Sequence, residues 1–398
     1  MSRTTSRKIR RLTDIPAKAL RGRRVLLRVD INVELTARGV RDTTRLEAIR
    51  PTVDHLVNVG AIVLMVAHLG RPAGRDMKYS LHALVAPLRR SIGRPIRFID
   101  DPIYSSKIQN EIASVPSGHV ALLENIRFEP GETKNDLRLA KRLASFCDLV
   151  VNDAFADSHR AHASLVGVAS YRPMVAGCGL TIELDNLQRH LTKPAHPYVA
   201  LIGGAKISTK LGLVKKLLAN VDAICLGGAL ANTVLKAEGV AVGASLIEPS
   251  MIRAARGLHT TNRKIHIPID VIVAGRGRPI RRAIGNVEPK ERILDIGPDT
   301  VELFSRVCAS ARTIVWNGPM GVYEQRPFDR GTRAIARMMA RGKRITIAGG
   351  GETVDAIKRQ KLDSRFTFLS TGGGAMLEWL EGKTLPGVAA CIGPAIHL

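Results

Sequence analysis

Tyr198-Val-Ala-Leu-Ile-Gly-Gly-Ala-Lys206 sets five uncharged, strand-forming residues directly against a pair of glycines. A short apolar run without polar alternation is the pattern of a strand buried on both faces of a parallel sheet, from which the chain must return through a crossover. The pattern recurs. Runs at 223–226, 271–274, 313–316, 344–348 and 366–369 predict further strands, and nearly every one ends in glycine or in a polar loop that opens a helix. Upstream, 25–29, 61–67, 120–124 and 149–153 read as strands, with amphipathic helices between them at 45–59, 81–91 and 136–144. Alternation of the two kinds of segment along the whole chain makes the class α/β.

A chain of 398 residues is too long for one ordinary core, so two domains are expected. The rhythm breaks at 173–197, where a glycine-containing stretch leads to one amphipathic helix near 183–191 and then to Lys193-Pro-Ala-His-Pro197. That break puts a first domain at 1–180, a hinge helix at 181–192 and a second domain at 193–385. With 36 glycines and 20 prolines among 45% hydrophobic residues, the composition is that of a packed protein with many turns. No run of eighteen uncharged apolar residues occurs, so no membrane span is expected. The Arg-, Ser- and Thr-rich start resembles a transit peptide, yet 23–30 already reads as a core strand and leaves little to remove. The five cysteines are far apart with no CxxC pair, which argues against zinc or redox work and suits a reducing cytoplasm.

A formal net charge of +25 raises the question of a nucleic-acid partner. Apart from a cluster between Arg3 and Arg24, the basic residues are dispersed, and aromatics at 4% are too few for a base-stacking platform. Specific nucleic-acid recognition is therefore not expected, although weak, salt-sensitive binding to polyanions is.

Ligands of open parallel sheets bind beyond the carboxyl ends of the strands. Five glycine loops fall there in the second half: Gly203-Gly204-Ala205-Lys206, Gly227-Gly228, Asn317 to Gly321, Gly349-Gly350-Gly351 and Gly372-Gly373-Gly374. Glycine lets backbone N–H groups approach a phosphate, and a following helix start adds favourable partial charge. Neither GxGxxG after the first strand nor GxxxxGK[ST] is present. In the first half the strand ends carry Arg45, His68, Arg71, Arg127, His159, Arg160 and His162 instead. Guanidinium forks match phosphate and carboxylate oxygens, so their convergence implies a small, multiply charged acid. Singly, each arginine of so basic a chain reads as a solvated surface charge. Trp316 reads as core.

Taken in order, these residues make the chain resemble the phosphoglycerate kinase family over essentially its whole length. The motifs are Arg28-Val-Asp-Ile-Asn-Val33, Thr44-Arg45, His68-Leu-Gly-Arg-Pro72, Leu122-Leu-Glu-Asn-Ile-Arg127, Asn152-Asp-Ala-Phe155 and His159-Arg-Ala-His162. They continue with Gly203-Gly-Ala-Lys-Ile-Ser-Thr-Lys210, Asp295-Ile-Gly-Pro298, Val315-Trp-Asn-Gly-Pro-Met-Gly321, Gly349-Gly-Gly-Glu-Thr353 and Ser370-Thr-Gly-Gly-Gly-Ala375. The resemblance implies two lobes, each a Rossmann-like parallel sheet flanked by helices, joined by a hinge helix, with the tail 386–398 returning to the first lobe. It implies a monomer that transfers a phosphoryl group between 1,3-bisphosphoglycerate and ADP, giving 3-phosphoglycerate and ATP, with Mg2+ carried on the nucleotide.

By the same resemblance the acid is held by Asp30, Ile31, Asn32, Arg45, His68, Leu69, Gly70, Arg71, Arg127 and Arg160. The nucleotide falls to Gly204, Ala205, Lys210, Gly228, Asn317, Pro319, Glu324, Gly350, Gly351, Glu352 and Thr353, and catalysis to Arg45 and Lys206. Lys210 follows Lys206 by four residues, the spacing of one helical turn, and so is expected to face the same phosphates. Three departures from the family pattern stand out: Glu352 where aspartate is usual, Glu34 where proline follows Asn-Val, and Asp157-Ser158 before His159. Glu352 leaves open a weakened paralogue that binds phosphoglycerate or nucleotide as a sensor. A polyanion-binding protein on the same fold and a kinase for another phosphorylated acid are the remaining alternatives.

Overall fold

Strands with no polar face must be covered on both sides, and each half of the chain does this around one parallel sheet. The structure, a computed structural model, describes residues 8–36, 39–258, 262–275 and 278–394. Contacts divide the chain into two units, one within Met1–Asp185 and Thr384–Leu398, the other Asn186–Lys383.

In the first unit six strands lie in the order Arg97–Ile99, Val120–Leu123, Ile62–Val66, Arg24–Val29, Leu149–Asp153 and Met174–Ala176, with every neighbour parallel. Register places Leu27 beside Met65 on one side and Val151 on the other. One face of the sheet packs these residues against Leu46, Val53, Leu56, Leu84 and Leu88 from the helices. The helix expected at 45–59 is two helices, Thr44–Ala48 and Arg50–Asn58. Pro51 has no N–H to continue the ladder, so the helix restarts with proline in its first turn.

The second unit repeats the arrangement with Ile265–His266, Ala223–Leu226, Tyr198–Ile202, Thr313–Asn317, Ile345–Gly349 and Phe368–Ser370, again all parallel. Trp316 is fully buried in its core, and its indole N–H donates to the carbonyl of Gly318 at 2.8 Å. The run at 271–274 is a correction to the sequence reading. Asp270–Ala274 belongs to a separate antiparallel sheet between Pro279–Ala283 and Arg292–Ile296, with its own small core of Val271, Val273, Val287 and Ile293.

The helix Cys178–Leu191 runs across the division between the units. It begins earlier than the 183 expected, because the N–H groups of its first turn are satisfied within the first unit: Thr52 Oγ1 accepts from Cys178 and Asp153 Oδ1 from Leu180, both at 2.9 Å. The last described segment also packs in the first unit. Gly387 N–H donates to the carbonyl of Ser158 at 2.8 Å, Asn152 Nδ2 donates to the carbonyl of Gly387 at 3.0 Å, and Arg10 N–H donates to that of Cys391 at 2.9 Å. Among the described residues no helix is long and apolar enough to cross a membrane, and all five cysteines are free thiols.

Candidate active site

The carboxyl ends of the first sheet carry the cations. Arg71, Arg127, Arg160 and His162 line a cleft of about 470 Å³ together with Phe128 and Glu129. Arg127 donates from Nη1 to the carbonyl of Gly70, and burial lowers its pKa from the ordinary arginine value. His162 is pushed down to about 4, first by burial and then by Arg28, Arg127 and Arg160, so it is neutral near pH 7. Its Nδ1 has no hydrogen-bond partner among the described residues and lies 3.6 Å from Glu132 Oε1.

Beside that cleft Arg45 is tied to the loop that follows the Arg24–Val29 strand. Its Nη1 lies 3.0 Å from Asp30 Oδ2 and donates to the carbonyl of Asn32 at 3.0 Å. Asn32 Oδ1 in turn accepts from the N–H of Gly70 at 2.9 Å, and Leu69 is pinned by Asn125, whose Nδ2 donates to its carbonyl at 2.9 Å. Ile31 and Leu69 are buried. Gly70 has φ +63° and presses against the Tyr79 ring, so a side chain there has neither the backbone nor the space. The structure thus gathers Asp30, Asn32, Arg45 and Gly70 through direct bonds, and sets Arg71, Arg127 and Arg160 around one cleft. His68 lies behind these groups, 1% exposed, its Nδ1 3.1 Å from Arg28 Nη2 and 3.2 Å from Asp157 Oδ2.

The second unit places all five glycine loops at strand ends of its parallel sheet, and a cleft of about 220 Å³ lies against the loops at 203–206, 227–228 and 317–321. Gly204, Ala205, Gly228, Pro319, Glu324 and Glu352 line it. Several glycines do a different job from the one expected. The N–H groups of Gly203, Gly204 and Gly228 donate to the carbonyls of Asn317, Pro319 and Met320 at 2.9, 2.9 and 3.1 Å. These N–H groups are therefore engaged in holding loop to loop. A Cβ on Gly228 would lie 2.7 Å from both N and O of Gly204. Absence of side chains lets the three loops interlock, and this part of the cleft wall is built from backbone.

Asn317 and Thr353 brace that wall. Asn317 Nδ2 donates to the carbonyl of Gly349 at 2.9 Å, and Thr353 Oγ1 accepts from Gly318 N–H at 2.7 Å. Gly350, with φ +96°, caps the helix Gly351–Lys358, whose second residue Glu352 is exposed to the cleft. Lys206 and Lys210 differ from expectation, because the helix starts only at Leu211 and they do not share a helical face. Lys206 is exposed on the loop after Ala205 and is not part of the cleft lining. Lys210 is buried, donates from Nζ to the carbonyls of Gly203 and Asn317, and is brought down to about 8 by burial, against the pull of Glu352.

Other residues at these sites were not singled out from the sequence. Arg28 is fully buried and bonds Ser164 Oγ and Asp157 Oδ2, both at 3.0 Å, while Ser164 Oγ donates to buried Glu132 at 2.6 Å. An arginine inside the apolar run Val25-Leu-Leu-Arg-Val29 was the available signal, because a charge in a strand buried on both faces requires a partner. In the cleft of the second unit Asp295, pushed up to about 8 by burial, accepts from Gly331 and Ile296 N–H groups at 2.7 and 2.9 Å.

Comparison with known proteins adds a match to the family described as phosphoglycerate kinase over residues 13–383. A phosphoglycerate kinase of Pelotomaculum thermopropionicum is 44% identical over 382 residues, covering 94% of this chain and 97% of that protein. One of Rubrobacter xylanophilus is 45% identical over 378 residues, covering 93% and 95%. Among solved structures, the phosphoglycerate kinase of Pyrococcus horikoshii superposes with a TM-score of 0.85 at 30% identity, over 96% of this chain and 98% of that one. That of Coxiella burnetii gives 0.81 at 36% identity, over 96% and 99%.

Proposed function

Since this chain belongs to the phosphoglycerate kinase family, we propose that it transfers a phosphoryl group reversibly between 1,3-bisphosphoglycerate and ADP, giving 3-phosphoglycerate and ATP. It is a phosphotransferase with a carboxyl group as acceptor. The observation that carries the reading is a division of chemistry: an arginine-lined cleft in one unit and a glycine-walled cleft in the other.

The acceptor oxygen of the acid is already ionised, so no proton has to be removed and catalysis reduces to alignment and charge stabilisation. In this reading Arg71, Arg127 and Arg160 hold the phosphate of the acid, with His68 behind them. Asp30 and Asn32 orient its hydroxyl and carboxylate end, a carboxylate being an acceptor for a hydroxyl. Arg45, anchored on Asp30 and Asn32, keeps further donors of its fork for the moving phosphoryl group. Lys206 reaches the same group from its exposed loop. Gly204, Ala205, Gly228, Asn317 and Pro319 wall the nucleotide, Glu324 accepts from the ribose, and the turn Gly350-Gly351-Glu352-Thr353 receives the phosphates at a helix start, with Lys210 beneath.

Magnesium fits as a companion of the nucleotide. Among the described residues no group of three or more His, Cys, Asp or Glu is placed to hold a metal ion, and of the cleft's carboxylates, Asp295, Glu324 and Glu352, the last stands at the helix start proposed for the phosphates. An ion that keeps most of its ligands as water and phosphate oxygens needs no more, and when bound it neutralises phosphate charge. The reading also takes the protein as a cytoplasmic monomer with lobes 1–180 and 193–385, a hinge at 181–192, and the tail 386–398 kept with the first lobe. Closure about that hinge brings the substrates together and keeps water from the acyl phosphate.

The test is a coupled assay with 3-phosphoglycerate, Mg-ATP and a glyceraldehyde-phosphate dehydrogenase readout, run beside Arg45→Ala and Lys206→Ala. Each variant is expected to lose about 10³-fold or more in turnover. A parent protein that binds nucleotide but does not turn over sinks the kinase reading in favour of a sensor.

A further inference from the structure

A site built to attract an anion already contains one. The side chain of Asp157 is 5% exposed, and two arginines and a histidine from neighbouring strand ends reach it. Arg28, on the Arg24–Val29 strand, donates from Nη2 to Oδ2 at 3.0 Å. His68, past the Ile62–Val66 strand, holds Nδ1 3.2 Å from the same oxygen. Arg160 brings Nη1 to 3.4 Å from Oδ1. The carboxylate is delivered by the short turn Phe155–Asp157 that follows the Leu149–Asp153 strand. Burial alone would raise its pKa, but Arg28, His68 and Arg160 together outweigh burial and hold it ionised, well below the usual carboxylate range.

The three contacts are unequal. Arg28 has no exposure, and its other donors are engaged by Ser164 Oγ and the carbonyl of Val29, so it stays on Asp157. Arg160 has a side chain 35% exposed, meets Asp157 at the long end of hydrogen-bond distance, and lines the cleft with Arg71 and Arg127. A phosphate entering the cleft therefore meets an arginine already shared with a carboxylate, and is repelled by that carboxylate from behind. The repulsion acts on the phosphate group whatever else the ligand carries.

We infer that Asp157 is a resident counter-ion that limits the affinity of the first-unit cleft for every phosphate-bearing ligand. The inference rests on the acid-binding reading of that cleft. Free inorganic phosphate, which has no carboxylate for the Asp30, Asn32 and Arg45 side, is thereby held weakly enough to leave. A phosphorylated acid keeps its hold through those additional contacts and still dissociates readily after transfer.

Calorimetric titration of the full chain with inorganic phosphate and, separately, with 3-phosphoglycerate tests this in the parent and in Asp157→Asn. Removing one like charge a few ångströms behind the bound phosphate is expected to tighten both ligands by the same factor, on the order of tenfold, with a matching fall in KM for the acid. Unchanged or weaker phosphate binding overturns the inference, and so does tightening of the acid without phosphate. Because Asp157→Asn leaves Arg28 buried without its partner, the same step is repeated in an Arg28→Met background, where no buried cation is orphaned. The same tightening is required there, and its absence also overturns the inference. Failure of the kinase reading looks different: the parent protein itself would neither bind nor turn over 3-phosphoglycerate, whereas phosphate binding is read without turnover.

Discussion

Lys210 Nζ donates to the carbonyl oxygen of Gly203 at 2.6 Å, so a buried ammonium ties the first glycine loop to the helix that follows it. Burial brings this lysine to about 8, below its ordinary 10.5. Between pH 8 and 10.5 the unfolded chain holds the proton that the folded one has released, so this group's contribution to stability rises with pH across that window. In the proposed reading its pull on nucleotide phosphates runs the other way and is lost as pH passes 8. ADP affinity measured at pH 7 and pH 9 is expected to fall in the parent. In Lys210→Met it is expected to be weak and nearly flat, and a parallel fall in both proteins would refute the assignment.

Gly228 and Gly351 follow two strands of the same sheet and have opposite surroundings. A Cβ on Gly228 meets backbone atoms of Gly204 at 2.7 Å and φ is +63°, whereas one on Gly351 meets nothing within 4 Å. Gly228→Ala is expected to lose about 2–4 kcal/mol in denaturant unfolding through overpacking and strain. Gly351→Ala, at the first position of its helix, is expected to be neutral or to gain up to about 1 kcal/mol. Equal losses in the two would show that glycine serves flexibility in both loops and not close approach.

Asp153 is buried, its Oδ2 has no hydrogen-bond partner among the described residues, and burial pushes it up to about 6 from 3.8. The folded protein keeps this proton longer than the unfolded chain, so the group's contribution to stability falls as pH rises from about 4 to 6. Asp153→Asn removes that fall. The stability difference, variant minus parent, should move in the variant's favour by up to roughly 3 kcal/mol between pH 4 and 7. A difference that does not change with pH would sink the idea.

Glu352 brings one methylene more than an aspartate to the start of the Gly351–Lys358 helix, and magnesium tolerates little departure from octahedral geometry. Glu352→Asp is expected to tighten Mg-ADP several-fold while leaving metal-free ADP unchanged. Titration with and without the ion separates the two, and no gain with magnesium would count against a metal role for this position.

Both sheets were legible in the sequence because strands buried on two faces leave unbroken apolar runs, as in Tyr198–Ile202 and Leu149–Asp153. Arg97–Ile99 and Met174–Ala176 escaped, because three residues make no run and the second lies between Pro173 and Gly177 in what reads as a break. The antiparallel sheet was missed for another reason. Pro279–Ala283 is half exposed and carries Arg281 and Arg282, whose partners Asp270 and Glu291 lie on or beside other strands. Of the sites, the glycine loops and arginines could be read as a list, since each follows a strand. Pairing could not: Arg28 and Asp157 are 129 residues apart, and the four-residue step from Lys206 to Lys210 suggested a shared helical face where the chain has a turn.

The bonds from Asn152 to Gly387 and from Arg10 to Cys391 also bear on how the molecule is made. A ribosome that has released the first 185 residues has delivered a sheet whose final contacts are still about 200 codons away, while Asn186–Lys383 emerges as one uninterrupted piece. The unit encoded first is therefore the one completed last, and during synthesis the Asn152 amide and the Ser158 carbonyl wait for the partners that Gly387 brings.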